Sequence, residues 1–127
     1  TDITGGGNTL AATITPSAAT SKVLVTYITQ AQHGNNKGYK TQLERAISGG
    51  ATTNVFTIPN QKDVYGDGDT NASRSSVEYL DSPSTTSATT YKIQMGVTGG
   101  TACINAFASS TSNYFGISTI TAMEVSG

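Results

Sequence analysis

Apolar and polar positions alternate along this chain in short runs, and none of the runs has the three-to-four-residue spacing of a helix. In Tyr91-Lys92-Ile93-Gln94-Met95 the odd positions, continued by Val97, form one apolar row, while Lys92 and Gln94 point the other way. Eight apolar or alternating runs stand out: Thr9–Thr15, Lys22–Gln32, Tyr39–Ile47, Thr52–Ile58, Ser75–Leu80, Thr89–Val97, Ala102–Ala108 and Ile117–Val125. Turn formers separate them: Pro16-Ser17, Gly34-Asn35-Asn36, Gly49-Gly50, Pro59-Asn60, Gly66-Asp67-Gly68-Asp69, Ser82-Pro83, Gly99-Gly100 and Ser109–Asn113. The pattern predicts an all-β fold, an antiparallel β-sandwich of the jelly-roll kind with about eight strands. Residues 1–10 read as a joint to an upstream region and residues 11–127 as one domain. Strand order is not contained in the pattern.

Two runs are apolar on both faces. In Lys22–Gln32, Val23, Val25 and Tyr27 share one face, and Leu24 and Ile28 share the other. In the last run Ile120 and Ala122 lie with Glu124, opposite Ile117, Met123 and Val125. Such a strand is either central in the core or has its second face against another chain. A domain of this size buries only about two-thirds of its unfolded surface. Two doubly apolar strands therefore point to an oligomer, with Val23, Val25, Tyr27, Ile120 and Met123 as interface candidates. Arg45 interrupts an apolar row formed by Leu43 and Ile47. We expect its head in water at the sheet rim, as long cations often manage. The alternative is a charge buried at a subunit seam and paired with Glu124 or Asp81.

Composition supports strands and removes several function classes. Of 127 residues, 22 are Thr, 14 Ser and 14 Gly, a mixture that suits pleated strands and tight turns better than helices. Clusters of Val, Ile and Tyr at intervals argue against a disordered tract. With 7 basic against 8 acidic residues, the chain has no electrostatic footprint for nucleic acid or anionic lipid. No apolar run approaches 18 residues, which excludes a spanning helix. Cys103 is the single cysteine and closes no intrachain disulfide, so packing or assembly must hold the fold.

Catalytic chemistry finds little to build on. His33 is the only histidine and sits before Gly34-Asn35-Asn36 at an apparent hairpin tip, and no G-x-S-x-G run exists. Cys103, between Ala102 and Ile104, reads as a small core filler. The loop containing Asp63, Asp67 and Asp69 alternates acid with glycine, which can feed oxygen ligands to calcium. It lacks the full D-x-D-x-D-G pattern and the bidentate Glu, and a solvated hairpin loop is the simpler reading. Gly66-Asp67-Gly68 misses the third glycine of a dinucleotide cradle, and its acids repel phosphate. Paired carboxylates for glycoside cleavage are not legible among loop acids and wet strand faces. No catalytic residue, metal or cofactor is therefore expected. The positive signal is for binding: six Tyr and no Trp, several beside Gly and Asn. Asn35, Asn36, Tyr39, Tyr65, Asn113 and Tyr114 are the candidates for contacting sugar hydroxyls and ring faces.

Three stretches are also familiar as a set. Ile14-Thr15-Pro16-Ser17 runs into Ser21-Lys22-Val23-Leu24-Val25, LDSPSTTSATTYKIQ spans Leu80–Gln94, and Ser118–Val125 reads STITAMEV. They resemble a C-terminal domain of tail-fibre and other structural proteins of marine bacteriophages, including cyanophages. The resemblance runs from about Asp2 to the end, with the Leu80–Gln94 run its most specific part. Residues His33–Ser76 match no stated pattern and carry no functional residue over. The resemblance implies a virion component assembled in the host cytoplasm, a jelly-roll-like head and a homotrimer. Its partners would be further copies of itself, an upstream fibre or virion protein, and a polysaccharide or protein of the host surface. No nucleic acid and no membrane insertion are expected. A chain beginning at Thr1 rather than Met is expected to be a fragment or a trimmed product of a longer protein. Receptor binding by a fibre head is the first functional expectation. A capsid or neck decoration protein without a receptor is the alternative.

Overall fold

The computed structural model of the chain describes residues 4–5, 8–33, 39–58, 72–97, 102–105 and 116–127. Ten strands lie within them: β1 (Thr4–Gly5), β2 (Asn8–Thr9), β3 (Ala11–Ile14), β4 (Lys22–His33), β5 (Tyr39–Ile47), β6 (Thr52–Thr57), β7 (Ala72–Asp81), β8 (Thr89–Val97), β9 (Ala102–Ile104) and β10 (Thr119–Val125). β1 and β2 form a short ladder of their own. The other eight make two antiparallel sheets packed face to face, an all-β sandwich. Sheet I has the order β3-β8-β5-β6, and sheet II has β10-β4-β7 with β9 also paired to β4. The chain passes between the sheets at β3–β4, β4–β5, β6–β7, β7–β8 and β8–β9. β5–β6 is a hairpin within sheet I, closed at Ser48-Gly49-Gly50 with Gly49 at a φ of 76°.

Period-two alternation decides what each strand buries. Val23, Val25 and Tyr27 of β4, Leu43 of β5, and Tyr91 and Ile93 of β8 form the core between the sheets, each 1% exposed or less. Ile120 and Ala122 of β10 and Val77 and Tyr79 of β7 pack at its margin. Along one side of the sandwich β10 lies against β3. On the other side Phe56 of β6 meets Tyr79 of β7 with ring centroids 5.2 Å apart.

This burial corrects the interface expectation. Val23, Val25 and Tyr27 are the inner face of a central strand and are covered by the chain's own second sheet. Ile120 belongs with them at the core margin. Of the five candidates only Met123 is exposed, at 54%. Alternation separates the two faces of β4 correctly, but which face turns inward depends on the other sheet.

Removing core volume should be costly and local. Leu43→Ala and Ile93→Ala are each expected to lower stability by about 2–5 kcal/mol, whereas Thr52→Ala on an exposed strand face should stay within about 0.5 kcal/mol. Equilibrium denaturation with urea, read by tyrosine fluorescence, checks the contrast.

Candidate functional site

The most concentrated polar chemistry among the described residues lies between the sheets. Arg45 of β5 and Tyr91 of β8 are cross-strand neighbours in sheet I, and Asp81 ends β7 in sheet II. The Arg45 Nη1 donates to both carboxylate oxygens of Asp81, at 2.9 and 2.8 Å. The Tyr91 hydroxyl donates to Asp81 Oδ2 at 2.7 Å. Both charged side chains are largely out of water, at 18% and 6% exposure. The expected rim position of Arg45 is therefore corrected. The pair is buried, its partner is Asp81, and it joins two sheets of one chain rather than two subunits. Burial pushes the Tyr91 hydroxyl well above the usual phenol range, with its hydrogen bond to Asp81 and that carboxylate's charge adding to the shift and Arg45 opposing it. Three hydrogen bonds from sheet I thus converge on one carboxylate of sheet II. Their role is to clasp the sheets.

Two further polar links serve the same end. Tyr27 of sheet II and Thr41 of sheet I share a hydrogen bond of 3.1 Å, and burial again raises the phenol. Glu124 of β10 accepts from the backbone N–H and the hydroxyl of Ser17, both at 2.7 Å. Hydrogen bonds from the Ser21 and Ser17 hydroxyls hold its carboxyl below the usual range. With Pro16, Ser21, Pro83 and Thr89 also buried, this end of the sandwich is sealed.

The opposite end is organised differently. Cross-strand registers place His33 beside Ala102, Gln32 beside Ala72, and Tyr39 beside Val97, with Thr57 three residues along beside Gln42. Asn105 and Gly116 belong to the same end. Gly116 donates its N–H to the Asn105 carbonyl, Ser118 donates to Asn105 Oδ1 at 2.7 Å, and the Gln30 N–H donates to Ser118 Oγ at 3.1 Å. Asn105 has a φ of 57°, a conformation its short amide tolerates. Gly116 packs directly against the Gln30 side chain, and a Cβ there would make that side chain shift. The described residues flanking segments 34–38, 59–71, 98–101 and 106–115 thus gather at one end.

Asn35, Asn36, Tyr65, Asn113 and Tyr114, and the weak calcium candidates Asp63, Asp67 and Asp69, lie outside the described residues. Tyr39 is described and corrected: it opens β5 and is only 4% exposed, because its position in the strand is on the inward row with Thr41 and Leu43. His33 is the last residue of β4 rather than a turn residue. Cys103 is half-buried on β9 with a free thiol. Among the described residues no group of three His, Cys, Asp or Glu side chains could hold a metal ion. Missed from the sequence were Thr29 and Ser75, cross-strand neighbours on the inner face of sheet II whose buried hydroxyls have no hydrogen-bond partner among the described residues. Thr29 stands on the same parity as Val23, Val25 and Tyr27, which was the available signal.

The outward faces of the two sheets contrast. Sheet I presents a polar network in which Glu44 Oε2 meets Lys92 Nζ at 3.3 Å and accepts from Gln94 Nε2 at 3.2 Å. Thr13 and Thr90 are joined there at 2.8 Å. Sheet II presents Leu80, Met123 and Val125 instead. Comparison with protein-family models, with curated proteins and with solved structures returned no match.

Breaking the clasp from one side is expected to be worse than removing it whole. Asp81→Ala strands a buried guanidinium and should cost about 3–5 kcal/mol, while the double change Arg45→Met with Asp81→Leu should recover most of that loss in the same denaturation experiment. Alkali provides a second test. Because the folded-state pKa of Tyr91 is raised, its contribution is intact below the unfolded phenol's pKa near 10 and is lost as pH climbs toward the folded value. Tyr91→Phe should therefore flatten the fall in melting temperature above about pH 10, with Tyr27 maintaining a residual slope.

Proposed function

We propose that this chain is a phage virion protein that serves as the receptor-binding head of a tail fibre, attaching the particle to a polysaccharide or protein of the host surface. The observation that carries the reading is the gathering of strand ends. The described residues that border three segments bearing Asn35, Asn36, Tyr65, Asn113 and Tyr114 all lie at the end opposite the clasp. A rigid sandwich clasped at one end, with strand ends gathered at the other, is how recognition surfaces are commonly built. The resemblance of Leu80–Gln94 to marine phage domains supports the same reading from the sequence side, since it contains Asp81 and Tyr91 of the clasp. It locates the likeness in the scaffold and leaves the recognition segments to vary.

A structural or decoration protein of the capsid or neck is the second reading. The apolar outward side of sheet II favours it, because a virion protein that only packs against neighbours needs such a face and no recognition end.

Binding to cells separates the two. Fluorescently labelled protein should decorate susceptible marine bacteria, and an excess should reduce adsorption of the phage. Replacing Asn35, Asn36, Asn113 and Tyr114 together by Ala should weaken cell binding by about tenfold or more without shifting the melting temperature. Absence of binding to any susceptible strain, with no effect on adsorption, overturns the fibre-head reading.

A further inference from the structure

The outward face of sheet II has an arrangement that selects its own occupant. Register places Met123 of β10, Leu24 of β4 and Leu80 of β7 side by side in one row across all three strands. Met123 is 54% and Leu80 47% exposed. Val125 extends the apolar surface on one side of this row, and on the other Ile28 and the exposed Ile117 lie beyond a polar row of Thr121, Thr26 and Glu78. The Met123–Leu24–Leu80 row is a continuous apolar stripe across the three strands, the kind of exposed feature that marks an interaction surface.

Charge on the same face is placed with a definite symmetry. Lys22 stands two residues before Leu24 on β4, and Glu78 stands two residues before Leu80 on β7. Because β4 and β7 are antiparallel, these two residues fall on opposite sides of the Met123–Leu24–Leu80 row. Both are exposed. A two-fold axis lying along the row exchanges its two sides. It lays each apolar row on its counterpart and brings Lys22 of each copy opposite Thr26 of the other, one strand spacing from that copy's Glu78 and within reach of its carboxylate.

We propose that a second copy of this chain covers the outward face of sheet II through this two-fold contact. The interface is isologous, so one patch serves both partners, and two ion pairs flank one apolar stripe. A three-fold assembly joins unlike patches and makes no use of this self-complementarity. The inference therefore departs from the trimer that the phage resemblance implies, and it does not rest on the virion reading. It also accounts for the contrast between the sheets: Glu44, Lys92 and Gln94 satisfy one another on the outside of sheet I, whereas the outside of sheet II keeps its apolar side chains uncovered within the chain.

Sedimentation equilibrium on the full chain tests this. The expected mass at about 100 μM is close to twice the 13.0 kDa of one chain. Met123→Glu places a charge on the stripe and should leave a folded monomer with an unchanged circular dichroism spectrum. Lys22→Glu and Glu78→Lys should each weaken association by about fivefold or more at low salt, and the two together should restore it to within about twofold. A chain that remains at 13.0 kDa at that concentration, or that has the mass of three copies, overturns the proposal. So does a double variant no better than the worse single one.

Discussion

A β-sheet has two faces, and a domain of 127 residues can cover only one face of each of its sheets. The rest of this structure follows from that constraint. The inward faces carry Val23, Val25, Tyr27, Leu43, Tyr91 and Ile93, and their burial supplies the main drive to fold. The outward faces are left with whatever the alternate positions hold. On sheet I those are Glu44, Lys92, Gln94, Thr13 and Thr90, which satisfy one another. On sheet II they include Leu24, Leu80 and Met123, which do not.

Hydrophobic burial alone does not explain how the sheets are held in one relative position. The large side chains in the core are few, and Thr29, Thr41 and Thr89 share its inward rows. Polar links supply the direction that dispersion lacks. Asp81 of one sheet takes hydrogen bonds from Arg45 and Tyr91 of the other, and Tyr27 meets Thr41 across the same gap. A buried ion pair contributes little net stability, since desolvation offsets much of the attraction, but a mispositioned one is strongly unfavourable. The clasp therefore acts mainly against alternative sheet packings.

The two ends of the sandwich are built differently. At the clasped end the polar groups are paired, the prolines are buried, and Glu124 ties the Pro16-Ser17 turn to the last strand. At the opposite end several strands terminate together, and the hydrogen bonds joining Gln30, Ser118, Asn105 and Gly116 brace the two sides of segment 106–115. The polar links of the clasp and the gathered strand ends therefore lie at opposite ends of the sandwich.

By itself the sequence determined the fold class and most strand positions. Tyr39–Ile47 and Thr89–Val97 are legible residue for residue, since they alternate over most of their length and turn formers bound them. Of the run Ala102–Ala108, Ala102–Ile104 pairs as a strand with the edge of β4, and residues 106–108 lie outside the described residues. Alternation also sorted Val23, Val25 and Tyr27 from Leu24 and Ile28, yet it is symmetric and says nothing about which set turns inward. Tertiary structure alone decided that, and with it the burial of Tyr39, the partner of Arg45 and the exposure of Met123. The candidate site was legible only as residue types: Asn and Tyr near turn formers are visible locally, but the meeting of strand ends from His33 to Gly116 is a long-range property. Arg45 and Asp81 likewise stand 36 residues apart and become neighbours only when the two sheets close. Local pattern is set by bonds along the chain, whereas partnership across a sandwich is set by packing between strands that the chain order does not place together.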